Sequence, residues 1–209
     1  MTIGRSVRGR AIRAVELRAS GARRTVLVVG CIHGTEPEGM RVVALLRRRT
    51  IPGVDLWLVP VINPDGLAAG TRGNADGVDL NRNFPAMWKR IANPGSPQWS
   101  GPRPLSEPEA RAGRSLILRI RPALTIWFHQ PQSVVRAWGP SIPAARRLAR
   151  LAAFPFRALP WPNGSAPNWQ NHRFPGDPSF VVELPPGRLD SASALRWARA
   201  VRALAQQPG

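Results

Sequence analysis

Residues 25–61, TVLVVGCIHGTEPEGMRVVALLRRRTIPGVDLWLVPV, decide the fold. The first eight (25–32) form a continuous β-branched apolar run, the pattern of a strand buried on both faces. Residues 37–49 switch to helical periodicity, with Pro37 in a first turn, where its missing N–H is an orphan anyway. After Pro52-Gly53, residues 54–61 return to a strand-like run. Strand, helix, strand is the order of an α/β fold with largely parallel pairing. The expectation is a three-layer sandwich in a single domain spanning 1–209, with a mixed, largely parallel sheet and helices on both faces.

The flanking chain extends the pattern. Residues 11–18 (AIRAVELR) alternate apolar and polar positions and read as a half-buried strand. Residues 63–101 are rich in Gly, Pro and Asn; so long an irregular stretch inside a compact fold is usually functional. Ser106-Glu107-Pro108-Glu109 fits a capping box opening a helix to about residue 121. Residues 123–129 read as a buried strand, 133–138 as a shorter one, and 143–153 as an Arg-studded helix. Residues 155–178 read as a second long loop, 179–184 (SFVVEL) as a buried strand, and 191–205 as a closing amphipathic helix. Both irregular stretches adjoin strand ends, where open α/β sheets place their ligand crevices.

Composition narrows the function classes. The 209 residues carry 30 Lys+Arg against 12 Asp+Glu, a formal charge of +18, with 43% hydrophobic residues. That apolar share is enough to build a core and argues against disorder throughout. A single cysteine, Cys31, excludes an intrachain disulfide framework. No uncharged apolar run approaches the ~18 residues of a membrane span. Residues 1–13 lack an apolar stretch ahead of their charges and do not read as a secretory signal, so the expected location is the cytoplasm. The excess of arginine invites a nucleic-acid reading. However, the arginines are scattered through every element, Lys89 is the sole lysine, and no zinc-finger or ribonucleoprotein motif occurs. The expected partner is therefore not nucleic acid.

The chain has three histidines: His33, His129 and His172. His33 and His129 stand at or just beyond the carboxyl ends of expected buried strands, where a core role is awkward. His33-Gly34-Thr35-Glu36 places an imidazole and a carboxylate in one tight turn, and zinc accepts that donor combination. Alone, His-x-x-Glu is a weak pattern, and a capping Glu beside a surface His reads equally well. Asn63-Pro64-Asp65-Gly66 by itself is an ordinary turn. Val181-Val182-Glu183-Leu184-Pro185 is less ordinary, because an ionised carboxylate among apolar neighbours costs several kcal/mol unless paired or shifted in pKa.

Taken in order, these segments resemble the zinc carboxypeptidase family of metallopeptidases. The resemblance rests on Arg5–Arg10, the His33/Glu36 motif, the Asn-Pro-Asp-Gly turn and Asp79-Leu80-Asn81-Arg82-Asn83-Phe84-Pro85. The strands ending in His129 and Glu183 complete it. The chain looks most similar to the short bacterial members that include murein peptide amidases. The resemblance implies that His33, Glu36 and His129 hold one Zn2+ per chain, with Asp79 accepting the other ring N–H of His33. It implies that Glu183 is the general base for the attacking water and Arg72 stabilises the oxyanion. Asn81 and Arg82 would grip the substrate's free carboxylate, for which a planar guanidinium is suited. No tyrosine occurs in the chain, which sets it apart from the digestive carboxypeptidases and their mobile tyrosine. Trp169 and His172, in the loop 164–178, are the candidates for covering bound substrate.

The expected activity is zinc-dependent hydrolysis of an amide beside a residue with a free carboxylate. The implied substrate is a murein peptide cut between the D-glutamate side-chain carboxyl and diaminopimelate. Aspartoacylase and succinylglutamate desuccinylase share the His-x-x-Glu and Asn-Arg motifs and suggest the alternative, a deacylase of N-acyl amino acids. A non-catalytic protein using its basic surface is the third reading. The sequence leaves the oligomeric state open.

Overall fold

The computed structural model describes residues 1–160 and 162–207. Nine strands alternate with six helices. In chain order they are β1 (Thr2–Arg5), β2 (Ala11–Arg13), β3 (Val15–Arg18), β4 (Arg24–Val29), α1 (Gly39–Leu46), β5 (Val54–Val59) and α2 (Pro64–Ala69). There follow α3 (Pro108–Ile120), β6 (Leu124–His129), β7 (Val134–Ala137), α4 (Ile142–Leu151), β8 (Phe156–Ala158), α5 (Ala166–Arg173), β9 (Ser179–Glu183) and α6 (Ser191–Ala205). Seven strands form one sheet in the order β3-β5-β4-β6-β9-β7-β8. Its centre, β5, β4, β6 and β9, is parallel, as the apolar runs require, while β3 and β7 join antiparallel.

Strand β6 shows how two helical layers arise. Its side chains alternate between the faces. Trp127 meets Phe84 on one face, with ring centroids 6.4 Å apart. Phe128 meets Trp197 of α6 on the other, at 6.1 Å. Helices α1 and α4 pack beside α6, whereas α5 crosses the Trp127 face, where Gln170 Nε2 donates to Thr125 Oγ1 at 2.7 Å.

Local chemistry departs from the sequence pattern in five places. The 11–18 segment divides at buried Ala14, and β2 pairs with the unforeseen β1 in a separate two-stranded sheet. Asn63-Pro64-Asp65-Gly66 opens the short helix α2, because the Asn63 side chain accepts from Gly66 N at 2.9 Å; such caps contribute about 0.5–2 kcal/mol. The box expected at Ser106 does not form. Glu107 is the N-cap without a side-chain cap bond, and Glu109 instead accepts from Val7 N and Asn74 Nδ2. The stretch 155–178 contains β8 and α5, and 63–101 contains α2 and a 3-10 turn at Leu80–Arg82. Among the described residues, no helix is long and apolar enough to cross a membrane.

Candidate metal centre

Parallel strands bring their carboxyl ends to one rim, and the chemistry-bearing residues collect there. Strand β4 runs into Gly30, and the following turn closes when Glu36 N donates to His33 O at 3.0 Å. Gly34 makes this turn fit. A Cβ there would lie 2.0 Å from the Gly66 carbonyl carbon, so the turn and α2 approach each other with no room for a side chain. β6 ends at His129 and β9 at Glu183, and the two residues are register partners. His33, Glu36, His129 and Glu183 are 1–5% exposed.

Three donors converge. Glu36 Oε2 lies 2.9 Å from His33 Nδ1 and 2.9 Å from His129 Nδ1, and one donor atom from each residue falls within 4.8 Å of the others. Meanwhile His33 Nε2 lies 2.9 Å from Asp79 Oδ1. That carboxylate also accepts from Asn81 N at 2.9 Å, so it requires the ring proton on Nε2. His33 Nδ1 is then a lone pair facing a carboxylate, and it has no hydrogen-bond partner despite the short distance. Two acceptors held that close repel each other unless a cation lies between them. The donor set, two imidazole nitrogens and a carboxylate, is one that zinc accepts, with room for a further ligand.

The electrostatics point the same way. Burial alone would push the His33 pKa down, yet the Asp79 and Glu36 carboxylates overcome it and raise it. Burial opposes ionisation of Glu36, but its bonds to His129 and His33 hold it well below the usual carboxylate range. Asp79 is likewise driven down against its burial, by His33, Arg72 and Arg82.

Arginines line the rest of the rim. Arg72 Nη1 donates to Glu36 Oε1 at 2.8 Å and its Nε to Asp79 Oδ2 at 3.0 Å, locking both carboxylates. Asn81 Oδ1 accepts from Ala166 N at 3.0 Å, tying the 3-10 turn to the start of α5. Arg82 Nη1 donates to the Asn81 carbonyl at 2.8 Å. Burial lowers the Arg82 pKa; Asp79 counters this, while the like charges of Arg72 and Arg136 add to it. Arg136, which sequence reasoning passed over, places Nη1 3.5 Å from Glu183 Oε1. Glu183 Oε2 has no hydrogen-bond partner among the described residues.

The two candidates for covering the substrate lie elsewhere. Trp169 is 6% exposed and packs on Phe84, with centroids 5.7 Å apart, so its ring belongs to the core. His172 stacks on Trp138 at 5.2 Å. It follows Asn171, which bonds Ser179 at the opposite end of β9 from Glu183. The loop expected to hold them over the rim is instead helix α5, which runs down the sheet face away from it.

Comparison with known proteins agrees with this geometry. Residues 1–142 match the sequence model of the family described as zinc carboxypeptidase. The chain belongs to the zinc carboxypeptidase family. Within it, the chain is 30% identical over 209 residues to murein peptide amidase A of Vibrio campbellii, covering 90% of this chain and 79% of that protein. It is 35% identical over 130 residues to murein peptide amidase A of Escherichia coli K12, spanning 56% of this chain and about half (53%) of that relative. In structure it is similar to murein-tripeptide amidase from Escherichia coli O157, with a TM-score of 0.80, 29% identity, and coverage of 100% of this chain and 92% of that one. The carboxypeptidase A fold of Helicoverpa armigera is also shared, at a TM-score of 0.77 and 20% identity, covering 99% of this chain and 69% of that one.

Proposed function

We propose that this chain is a zinc-dependent hydrolase of murein peptides, cutting the amide between the D-glutamate side-chain carboxyl and diaminopimelate. The observation that carries the reading is the register pairing of His129 with Glu183, which sets a buried carboxylate with one unpartnered oxygen beside the metal-donor cluster. Kinship with the murein peptide amidases supports the substrate.

His33, Glu36 and His129 would hold one zinc ion per chain, which supplies Lewis acidity at the scissile carbonyl and toward water. Glu183 Oε2 accepts a proton from the attacking water as the new C–O bond forms. It then returns that proton to the departing nitrogen as the C–N bond breaks. Arg72 has five N–H groups; those not facing Glu36 and Asp79 lie beside the position where oxyanion charge develops. Asn81 and Arg82 grip the free carboxylate of the departing residue, fixing which amide reaches Glu183. Asp79 keeps His33 in the tautomer that presents Nδ1 to the metal.

The test is incubation of the zinc-loaded protein with L-Ala-γ-D-Glu-diaminopimelate, followed by chromatography. Release of diaminopimelate that stops on chelation and returns with zinc is expected. A chain that leaves the tripeptide intact and deacylates N-acyl amino acids is a deacylase instead.

A further inference from the structure

A second polar recess lies below the rim, on the sheet face that α5 crosses. Strand β7 runs antiparallel to β9, with Val134 opposite Glu183 and Arg136 opposite Val181. Side chains on one strand alternate, so Val181 and Glu183 share a face, and Arg136 reaches diagonally along it to Glu183 Oε1. The Arg136 side chain is 18% exposed and donates to Gln132 at 3.2 Å. Its 3.5 Å approach to Glu183 is longer than the ~2.7–2.9 Å of a strong charge-assisted bond, so the pair is loose.

Helix α5 forms the facing wall. Asn171 Nδ2 bonds Ser179 O, at the foot of β9, and lies 3.3 Å from Ser141 Oγ, just beyond β7. Asn168 is one helical turn nearer the rim on the same side, since residues three apart are neighbours on a helix surface. One turn rises about 5.4 Å and two strand residues about 6.6 Å. Asn168 therefore stands at the height of Val181 and Arg136. It is 1% exposed, and neither its amide oxygen nor its amide nitrogen has a hydrogen-bond partner among the described residues. Buried amides without partners are rare and costly, and this one faces the strand that carries Arg136. The start of α5, held by Asn81 Oδ1, sets this recess directly beneath Asn81 and Arg82.

Charge balance indicates what the recess takes. Glu36, Asp79 and Glu183 match Arg72, Arg82 and Arg136 in number, so a divalent metal leaves the rim with two uncompensated positive charges. One carboxylate on Asn81 and Arg82 neutralises only one of them.

We propose that Arg136 and Asn168 form a specificity pocket for a second acidic group, carried on the side chain of the departing residue. The proposal rests on the hydrolase reading for where that residue sits. Arg136 donates to the distal carboxylate, and Asn168 supplies an amide donor to it and an acceptor to any amine beside it.

Binding of free amino acids to the zinc-loaded protein, read by titration calorimetry, tests this without turnover. Wild-type protein should bind 2-aminopimelate at least 30-fold more tightly than norleucine or lysine. Arg136→Gln should lose that preference, weakening 2-aminopimelate at least 30-fold and norleucine less than 3-fold. Asn168→Asp, which sets a carboxylate beside Arg136, should weaken 2-aminopimelate and strengthen lysine. Equal binding of the three ligands by wild type overturns the pocket and needs no variant to fold. Equal weakening of 2-aminopimelate and norleucine in Arg136→Gln also overturns it, since Arg136 would then act only through Glu183. A chain with the binding preference but no amidase activity retains the pocket and loses the proposed reaction; the converse result does the opposite.

Discussion

His33 Nε2 and Asp79 Oδ1 lie 2.9 Å apart in a site where Asp79 is wholly buried. The contact decides which ring nitrogen faces Glu36 and His129. Asp79→Asn should therefore weaken zinc binding by about 10–100-fold, the usual effect of removing a carboxylate behind a ligand histidine. Competition against a chromophoric chelator measures this, and unchanged affinity would remove Asp79 from the account.

Zinc affinity should also depend on pH. Asp79 and Glu36 raise the His33 pKa above that of a free imidazole, so protons compete for the ligand into the neutral range and above 6.5. The Glu36 pKa is lowered, so that carboxylate stays ionised and adds no loss of affinity at mildly acid pH. Affinity should rise from pH 6 to pH 8 by more than tenfold. A flat profile would mean that His33 is already unprotonated at pH 6.

Cys31 sits two residues before His33, fully buried, and its thiol lies 3.1 Å from His33 O. Burial first, then the Glu36 charge, pushes its pKa up to about 12. The thiolate is the reactive form, so native protein should resist a thiol reagent at pH 8 and react once unfolded in guanidinium. Rapid labelling of the native chain would contradict this placement.

Gly34→Ala should damage both fold and site, because the new Cβ would meet the backbone carbonyl group of Gly66 at 2.0–2.2 Å. Overpacking usually costs about 1–3 kcal/mol, and here backbone on both sides must move. A lower melting temperature together with weaker zinc binding is expected; an unperturbed melt would show that the turn and α2 separate easily.

The parts legible in the sequence share one physical origin. β4, α1 and β5 were readable because strands buried on both faces must be continuous apolar runs, and α1 carries a stripe at helical spacing. Helix α5 was hidden because it has no such stripe. Its sequence, APNWQNHR, buries Asn168, Gln170 and Asn171, and Gln170 and Asn171 bond Thr125 and Ser179. Its start depends on Ser165 accepting from Asn168 N at 3.3 Å. The same concealment misplaced Trp169 and His172, which read as loop residues over the rim. Arg136 was hidden among many arginines, and only its register opposite Val181 sets it apart. The metal donors were legible because His33 and Glu36 share one turn and His129 ends an apolar run, whereas their convergence needed the sheet order.

The most direct test joins metal content to turnover in one preparation. Glu183→Gln should bind zinc as tightly as wild type and in the same ratio per chain. Its release of diaminopimelate from the tripeptide should be at least 100-fold slower, the scale of a lost general base. A zinc-loaded Glu183→Gln protein that turns over at the wild-type rate would contradict the account.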